Sequence, residues 1–192
     1  MALATVKPTS IDTAIAREVA AYTNPGIEQA AQALTWGADE HVVVALSIAA
    51  WLYAQGTRSS YRPFANHLLT VSLVTAVLPH LLKSVFDQTR PDRLTIRGHQ
   101  HGVPLSGKSQ DAFPSGHAMH MGAIASAAGL LPRGARRLVR GAAVGLSLTR
   151  IALLAHWASD VLAGFALGAA VERLLRRRKL TATRARDSQG HD

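Results

Sequence analysis

Residues 111 to 131, "DAFPSGHAMHMGAIASAAGLL", set a proline, a serine, a glycine and a histidine directly before a run apolar enough to lie in a bilayer. The run has no polar stripe, which a helix on the surface of a soluble protein would need. Its small residues, "GAIASAAG", suit the close approach of neighbouring helices. A histidine at the mouth of such a run costs several kcal/mol unless it is paired, wet or used, so His117 asks for a function.

Working outward, four more runs share this character: 41–54 ("HVVVALSIAAWLYA"), 65–86, 138–155 and 157–175, divided by loops rich in Arg, Gly, Pro or Ser. Several are shorter than the roughly 20 residues that cross a bilayer core. Five helices apolar on all sides would nevertheless leave too little polar chain, in 192 residues, to cover them in water. The expected fold class is therefore all-α, an integral membrane helical bundle of about five spans. Before it, "SIDTAIAREVAAYTNPGIEQAAQALTW" mixes polar and apolar residues at helical spacing and is broken by Asn24-Pro25-Gly26. The expected division is an amphipathic interfacial segment over 1–38, a membrane domain over 39–179, and a basic, then polar, flexible tail over 180–192. No cleaved secretory signal is expected at the start, which lacks a basic opening and a compact apolar core.

Composition narrows the chemistry. The chain has no cysteine, which removes disulfides and thiolate catalysis. Its net charge of +9 comes without a recognition motif or aromatic platform, so nucleic acid is not an expected partner. The arginines instead cluster at the ends of apolar runs. If the runs alternate across a membrane, Arg58 and Arg62, then Arg133, Arg136, Arg137 and Arg140, then the tail all share one face, cytoplasmic by the positive-inside rule. The loop from Asp87 to Phe113 falls on the other face, periplasmic in a Gram-negative cell. Trp36, Trp51 and Trp157 lie near the expected interfaces.

Three polar clusters stand at helix ends on that outer face: "KSVFDQTRPDR", "PSGH" and "TRIALLAHWASD". Lys83, Arg90 and Arg150 offer positive charge, two of them with the fork geometry that matches phosphate oxygens. Ser115 is placed to cap the third apolar helix, Gly116 has no side chain to block approach, and the N–H groups of a helix N-terminus favour an anion. His156 and Asp160 are four apart, a spacing that on one helix face lets the carboxylate bond one ring nitrogen and leave the other free as nucleophile or base.

Together these blocks, Lys-X6-Arg-Pro at Lys83 to Pro91, Pro-Ser-Gly-His at Pro114 to His117, and Arg-X5-His-X3-Asp at Arg150, His156 and Asp160, resemble the signature of the type 2 phosphatidic acid phosphatase and vanadium haloperoxidase superfamily. The resemblance covers roughly residues 65 to 175, with one departure: Thr149 stands where the family usually has serine. It implies a membrane lipid phosphatase acting on a phosphate monoester or a polyprenyl diphosphate, with no cofactor and no metal. By the same resemblance His156 attacks phosphorus, Asp160 holds its tautomer, and His117 protonates the leaving oxygen and later activates water. Lys83, Arg90, Ser115, Gly116 and Arg150 hold the phosphoryl oxygens. Soluble acid phosphatases and vanadate-dependent haloperoxidases share these residues, and are expected to have a signal peptide or a longer, more polar chain; an inactive membrane scaffold would not be expected to keep His117, His156 and Asp160 intact.

Residues outside the signature read more plainly. His99 and His101, one residue apart without a third ligand, are expected in a solvated loop; Asp92 and Arg93, directly after the motif, are expected either to touch the headgroup or to lie in a solvated loop. His80 is expected to be structural, and His120, one turn beyond His117, to pack or to meet a lipid headgroup ahead of the alternative that it lines the pocket. Headgroup choice is assigned to the loop "DRLTIRGHQHGVPLSGKSQDAF" and to the N-terminal segment. Oligomeric state is not legible.

Overall fold

The computed structural model describes residues 3–22, 24–91 and 110–189, with side chains as far as Arg178. Among these the chain forms seven α-helices: α1 Ser10–Tyr22, α2 Pro25–Thr35, α3 Glu40–Gly56, α4 Arg62–Val85, α5 Gly116–Ala127, α6 Arg133–Ala152 and α7 Ala158–Gln189. Every apolar run of the sequence has become a helix, and the amphipathic segment has become two. Asn24 ends the break between them by accepting the Ile27 N–H (3.0 Å), with Pro25 in the first turn. The backbone is helical through Gln189, beyond the boundary at residue 180 that the sequence suggested for a tail.

The run that opened the reading is the centre of the bundle. Helix α5 is surrounded by α4, α6 and α7, and nine of its twelve residues are buried. At 1.5 Å per residue it is about 18 Å long, short of the roughly 30 Å hydrocarbon core. It is apolar all round, and protein covers most of it. Among the described residues one helix, α4, is long and apolar enough to cross a membrane by length and composition. Large apolar side chains are exposed around the bundle, among them Leu46 and Leu52 on α3, Leu73 and Val77 on α4, and Leu162 and Leu174 on α7. Such a belt suits lipid contact.

Glycines set the α5–α7 crossing. A Cβ at Gly122 would strike the Phe165 carbonyl, one at Gly168 the Met119 carbonyl, and one at Gly164 the Ser115 carbonyl, so backbone lies directly on backbone. At the far end from the signature residues, fully buried Glu172 of α7 meets His67 Nε2 of α4 at 2.9 Å and accepts from the Ser126 hydroxyl of α5, with Arg176 3.5 Å away. Ser47 and Ser72 join α3 to α4 at 2.8 Å.

The N-terminal segment is anchored to the bundle. Strand β1 (Ala4–Thr5) pairs in parallel with β2 (Phe86–Asp87), which continues α4. Asp12, 2% exposed, accepts from Thr9 and from both the N–H and the hydroxyl of Ser159 (2.8 Å each), clamping α1 to the start of α7. Trp157 is also internal, 2% exposed with its indole N–H on the Thr89 carbonyl (2.8 Å), rather than at an interface; Trp36 is 62% exposed.

Candidate active site

Lys83 sits in the last turn of α4, Arg90 in the segment after β2, Gly116 and His117 at the start of α5, Arg150 in the last turn of α6, and His156 in the turn before α7. These six residues, separated by up to 73 positions, line one cavity of about 580 Å³. Ser115 and Asp160 stand behind its wall. Ser115 accepts the Ala118 N–H (3.4 Å) as the cap of α5, as its sequence position suggested. Asp160 accepts the Trp157 N–H (2.9 Å), and with its amide nitrogen facing that carboxylate Gln88 donates to both oxygens, at 2.6 and 3.2 Å.

This changes how His156 is held. The i, i+4 spacing suggested a carboxylate hydrogen bond, but His156 precedes the first residue of α7 and does not share its helical register. Its Nδ1 lies 2.6 Å from the Ala112 carbonyl and 3.9 Å from Asp160 Oδ2. Since a carbonyl can only accept, Nδ1 carries the proton and Nε2 is left as a lone-pair nitrogen toward the cavity. Burial, then the charges of Arg150, Arg90 and Lys83, hold the His156 imidazole well below the usual histidine range, against the Ala112 bond. The turn that delivers it is strained: Leu154 adopts φ 51°, a conformation that costs a side-chain-bearing residue about 1 kcal/mol or more. Leu154 is held there by burial against Ala16, Ala112 and Trp157.

The cations are arranged by a residue that sequence reasoning did not single out. Asp111 Oδ1 accepts from Arg90 Nε (3.0 Å) and Nη2 (2.8 Å), and its Oδ2 is 3.6 Å from Lys83 Nζ. Burial pushes the Asp111 carboxyl up, but Arg90 and Lys83 outweigh it and hold the group below the usual carboxylate range. Arg90 also donates to the Ala155 carbonyl (3.4 Å). Arg150, 3% exposed, donates to the Thr35 hydroxyl at the end of α2 (3.2 Å), and its Nε has no partner among the described residues. Thr35 and Trp36 thus bring the N-terminal segment into the wall, a role no motif announced. Thr149 donates to the Leu146 carbonyl (2.6 Å), so its hydroxyl is engaged within its own helix.

His80, expected to be structural, and His120, for which pocket lining is the second expectation, also line the cavity, with Asp39 and Glu40. Asp92, Arg93, His99 and His101, and most of the loop assigned to headgroup choice, lie outside the described residues.

The chain is similar to several known proteins. Over 103 residues the chain is 36% identical to a lipid A 1-phosphatase of Rhizobium etli, covering 53% of this chain and 44% of that protein. A lipid A 1-phosphatase of Rhizobium johnstonii is 36% identical over 104 residues, 54% and 43% of the two chains. The chain therefore spans less than half the length of these relatives. Among solved structures, Aquifex aeolicus LpxE superposes with a TM-score of 0.74 at 18% identity, over 90% of this chain and 99% of that one. The transmembrane PAP2-type phosphatidylglycerolphosphate phosphatase of Bacillus subtilis does so at 0.65 and 21%, over 90% and 86%. The family model of the PAP2 superfamily matches residues 64–184, the stretch that holds all three signature blocks, and the chain belongs to that superfamily.

Proposed function

We propose that this chain is an integral membrane lipid phosphatase that hydrolyses a lipid phosphate monoester or a polyprenyl diphosphate through a phosphohistidine. The observation that carries the reading is the meeting of Lys83, Arg90 and Arg150 with His117 and His156 in one cavity, with His156 Nδ1 committed to the Ala112 carbonyl. His156 Nε2 attacks phosphorus as the bond to the leaving oxygen breaks, and His117 gives that oxygen its proton. In the second step His117 takes a proton from water, the hydroxide attacks phosphorus, and the P–N bond breaks to release inorganic phosphate. The three cations and the N–H groups at the start of α5 stabilise charge on the phosphoryl oxygens. Ser115 and Gly116 contribute by presenting those N–H groups, and Asp160 supports the turn that carries His156.

The lipid A 1-phosphatases among its relatives make a sugar-linked lipid phosphate the first substrate to test. No cofactor or metal is required in this scheme. The cavity opens to the periplasm or cell exterior of a bacterial inner membrane, and the carboxyl terminus is cytoplasmic; the arginine-rich loops support this orientation. Phosphate release from lipid A 1-phosphate, phosphatidate, phosphatidylglycerophosphate and a polyprenyl diphosphate in mixed micelles, with excess chelator present, tests the proposal. Folded protein that releases phosphate from none of them would remove it.

A further inference from the structure

The cavity has two poles. Lys83, Arg90 and Arg150 supply only donors, whereas the other side is lined by Asp39, Glu40 and His120, all able to accept. His120 lies one helical turn beyond His117 on α5, about 5 Å along the axis, and is 1% exposed. Its Nδ1 is 2.9 Å from the Thr75 hydroxyl, whose oxygen also lies within hydrogen-bond distance of the Val71 (2.9 Å) and Ser72 (3.2 Å) carbonyls of α4. Two backbone carbonyls compete for the one proton of that hydroxyl; with the proton on either of them, Thr75 Oγ1 accepts from Nδ1–H and in the neutral ring Nε2 is a bare acceptor. That Nε2 is buried and has no partner among the described residues. A buried acceptor without a donor is unfavourable unless a ligand completes it. Asp39 is already engaged by the N–H groups of His41 and Val42 at the start of α3, whereas Glu40 is approached by two histidine side chains, His80 Nε2 at 3.2 Å and His41 Nε2 at 3.8 Å, and by no backbone N–H among the described residues.

We propose that His120 Nε2 and Glu40 form a subsite for a hydrogen-bond donor next to the scissile phosphate, which selects substrates whose phosphate-bearing group carries a hydroxyl or an ammonium. Polyol or amino-sugar phosphates satisfy it; phosphatidate and prenyl phosphates, with no donor near phosphorus, leave His120 unpartnered. The subsite rests on the reading of the cavity as a phosphate-ester site.

Paired probes separate the two ideas. Dissociation constants are measured for inorganic phosphate, glycerol 3-phosphate and propyl phosphate on the full-length chain in detergent, in a His156→Ala background so that nothing turns over. The two esters share a three-carbon chain and differ in their hydroxyls. Glycerol 3-phosphate should bind about ten-fold tighter or more, and His120→Phe should bring the ratio of the two constants close to one, with Glu40→Gln lowering it in part. Equal binding of the two esters before any change at His120 overturns the subsite while leaving the phosphate site intact if inorganic phosphate binds. A ratio preserved in folded His120→Phe also overturns it. Failure of inorganic phosphate and both esters to bind removes the phosphatase reading and the subsite with it.

Discussion

The backbone N–H of Ser115 donates to the backbone carbonyl of Asp160 at 3.2 Å, tying the start of α5 to the start of α7. Gly164, one turn along α7 from Asp160, lies against the Ser115 carbonyl, so the same contact has no room for a side chain. Gly164→Ala should therefore destabilise the protein by about 1 to 3 kcal/mol and reduce turnover by moving the helix end that carries His117. Gly145→Ala on α6, where a Cβ meets nothing within 4 Å, should leave both unchanged or raise stability. Thermal melts and phosphate release in detergent read the pair. Equal behaviour of the two variants would contradict the crossing described for α5 and α7.

The two histidines should fail differently. In the proposed mechanism His156→Ala removes the nucleophile and should abolish both turnover and any trapped phosphoenzyme, whereas His117→Ala leaves it in place. His117→Ala removes a proton donor, typically worth about 10² to 10⁴ in rate. A nitrophenyl phosphate, whose leaving group needs less of that proton, should therefore give His117→Ala a burst of nitrophenol followed by slow phosphate release. A folded His117→Ala protein as silent as His156→Ala in that burst would leave the division of labour unsupported.

Asp111 should govern part of the acid stability. Its folded pKa lies below the unfolded value, so its contribution is present above about pH 4 and is lost as pH falls through the folded value. At pH 7 Asp111→Asn should cost about 1.5 to 3 kcal/mol, the range for hydrogen bonds to charged groups. The gap between wild type and variant should narrow as pH drops toward 3. A gap that stays constant from pH 7 to pH 3 in thermal melts would show that the Arg90 and Lys83 pairings are not what Asp111 contributes.

At the other wall, Asp12→Ala removes the acceptor for Thr9 and Ser159 together. The N-terminal helices should then open locally, with faster hydrogen exchange in α1 and reduced melting temperature. Unchanged exchange in α1 would mean that its apolar contacts hold it without the clamp.

Orientation is tested with reporter fusions. A fusion of alkaline phosphatase after Asp192 should be inactive, and a green fluorescent protein fusion there should be bright, if the carboxyl terminus is cytoplasmic. An active phosphatase fusion would turn the chemistry toward the other leaflet.

The helices were legible because each apolar run was long enough to show its character, and the site was legible because three spacings are fixed by local backbone. What escaped was tertiary. Nothing in the periodicity of residues 10–36 announced that Asp12 would reach Ser159 or that Thr35 would meet Arg150. Asp111 was quoted only as the residue before a motif, since a lone carboxylate has no pattern. The His156–Asp160 spacing misled for a stated reason: four residues mean one turn only where both lie in the same helix. Hydropathy likewise cannot distinguish lipid from protein as the cover of α5.

The glycine crossing of α5 and α7 has a further consequence for how such a molecule can change. His117 and the His156 turn belong to elements whose spacing is set by main chain against main chain, where no side-chain replacement can relax it. The opposite wall is built from Thr35 and Trp36 at the end of α2, Asp39 and Glu40 at the start of α3, and His80 on α4. Variation in substrate can therefore accumulate on that wall, residue by residue, while His117 and His156 stay in register, as interchangeable jaws are fitted to a fixed vice.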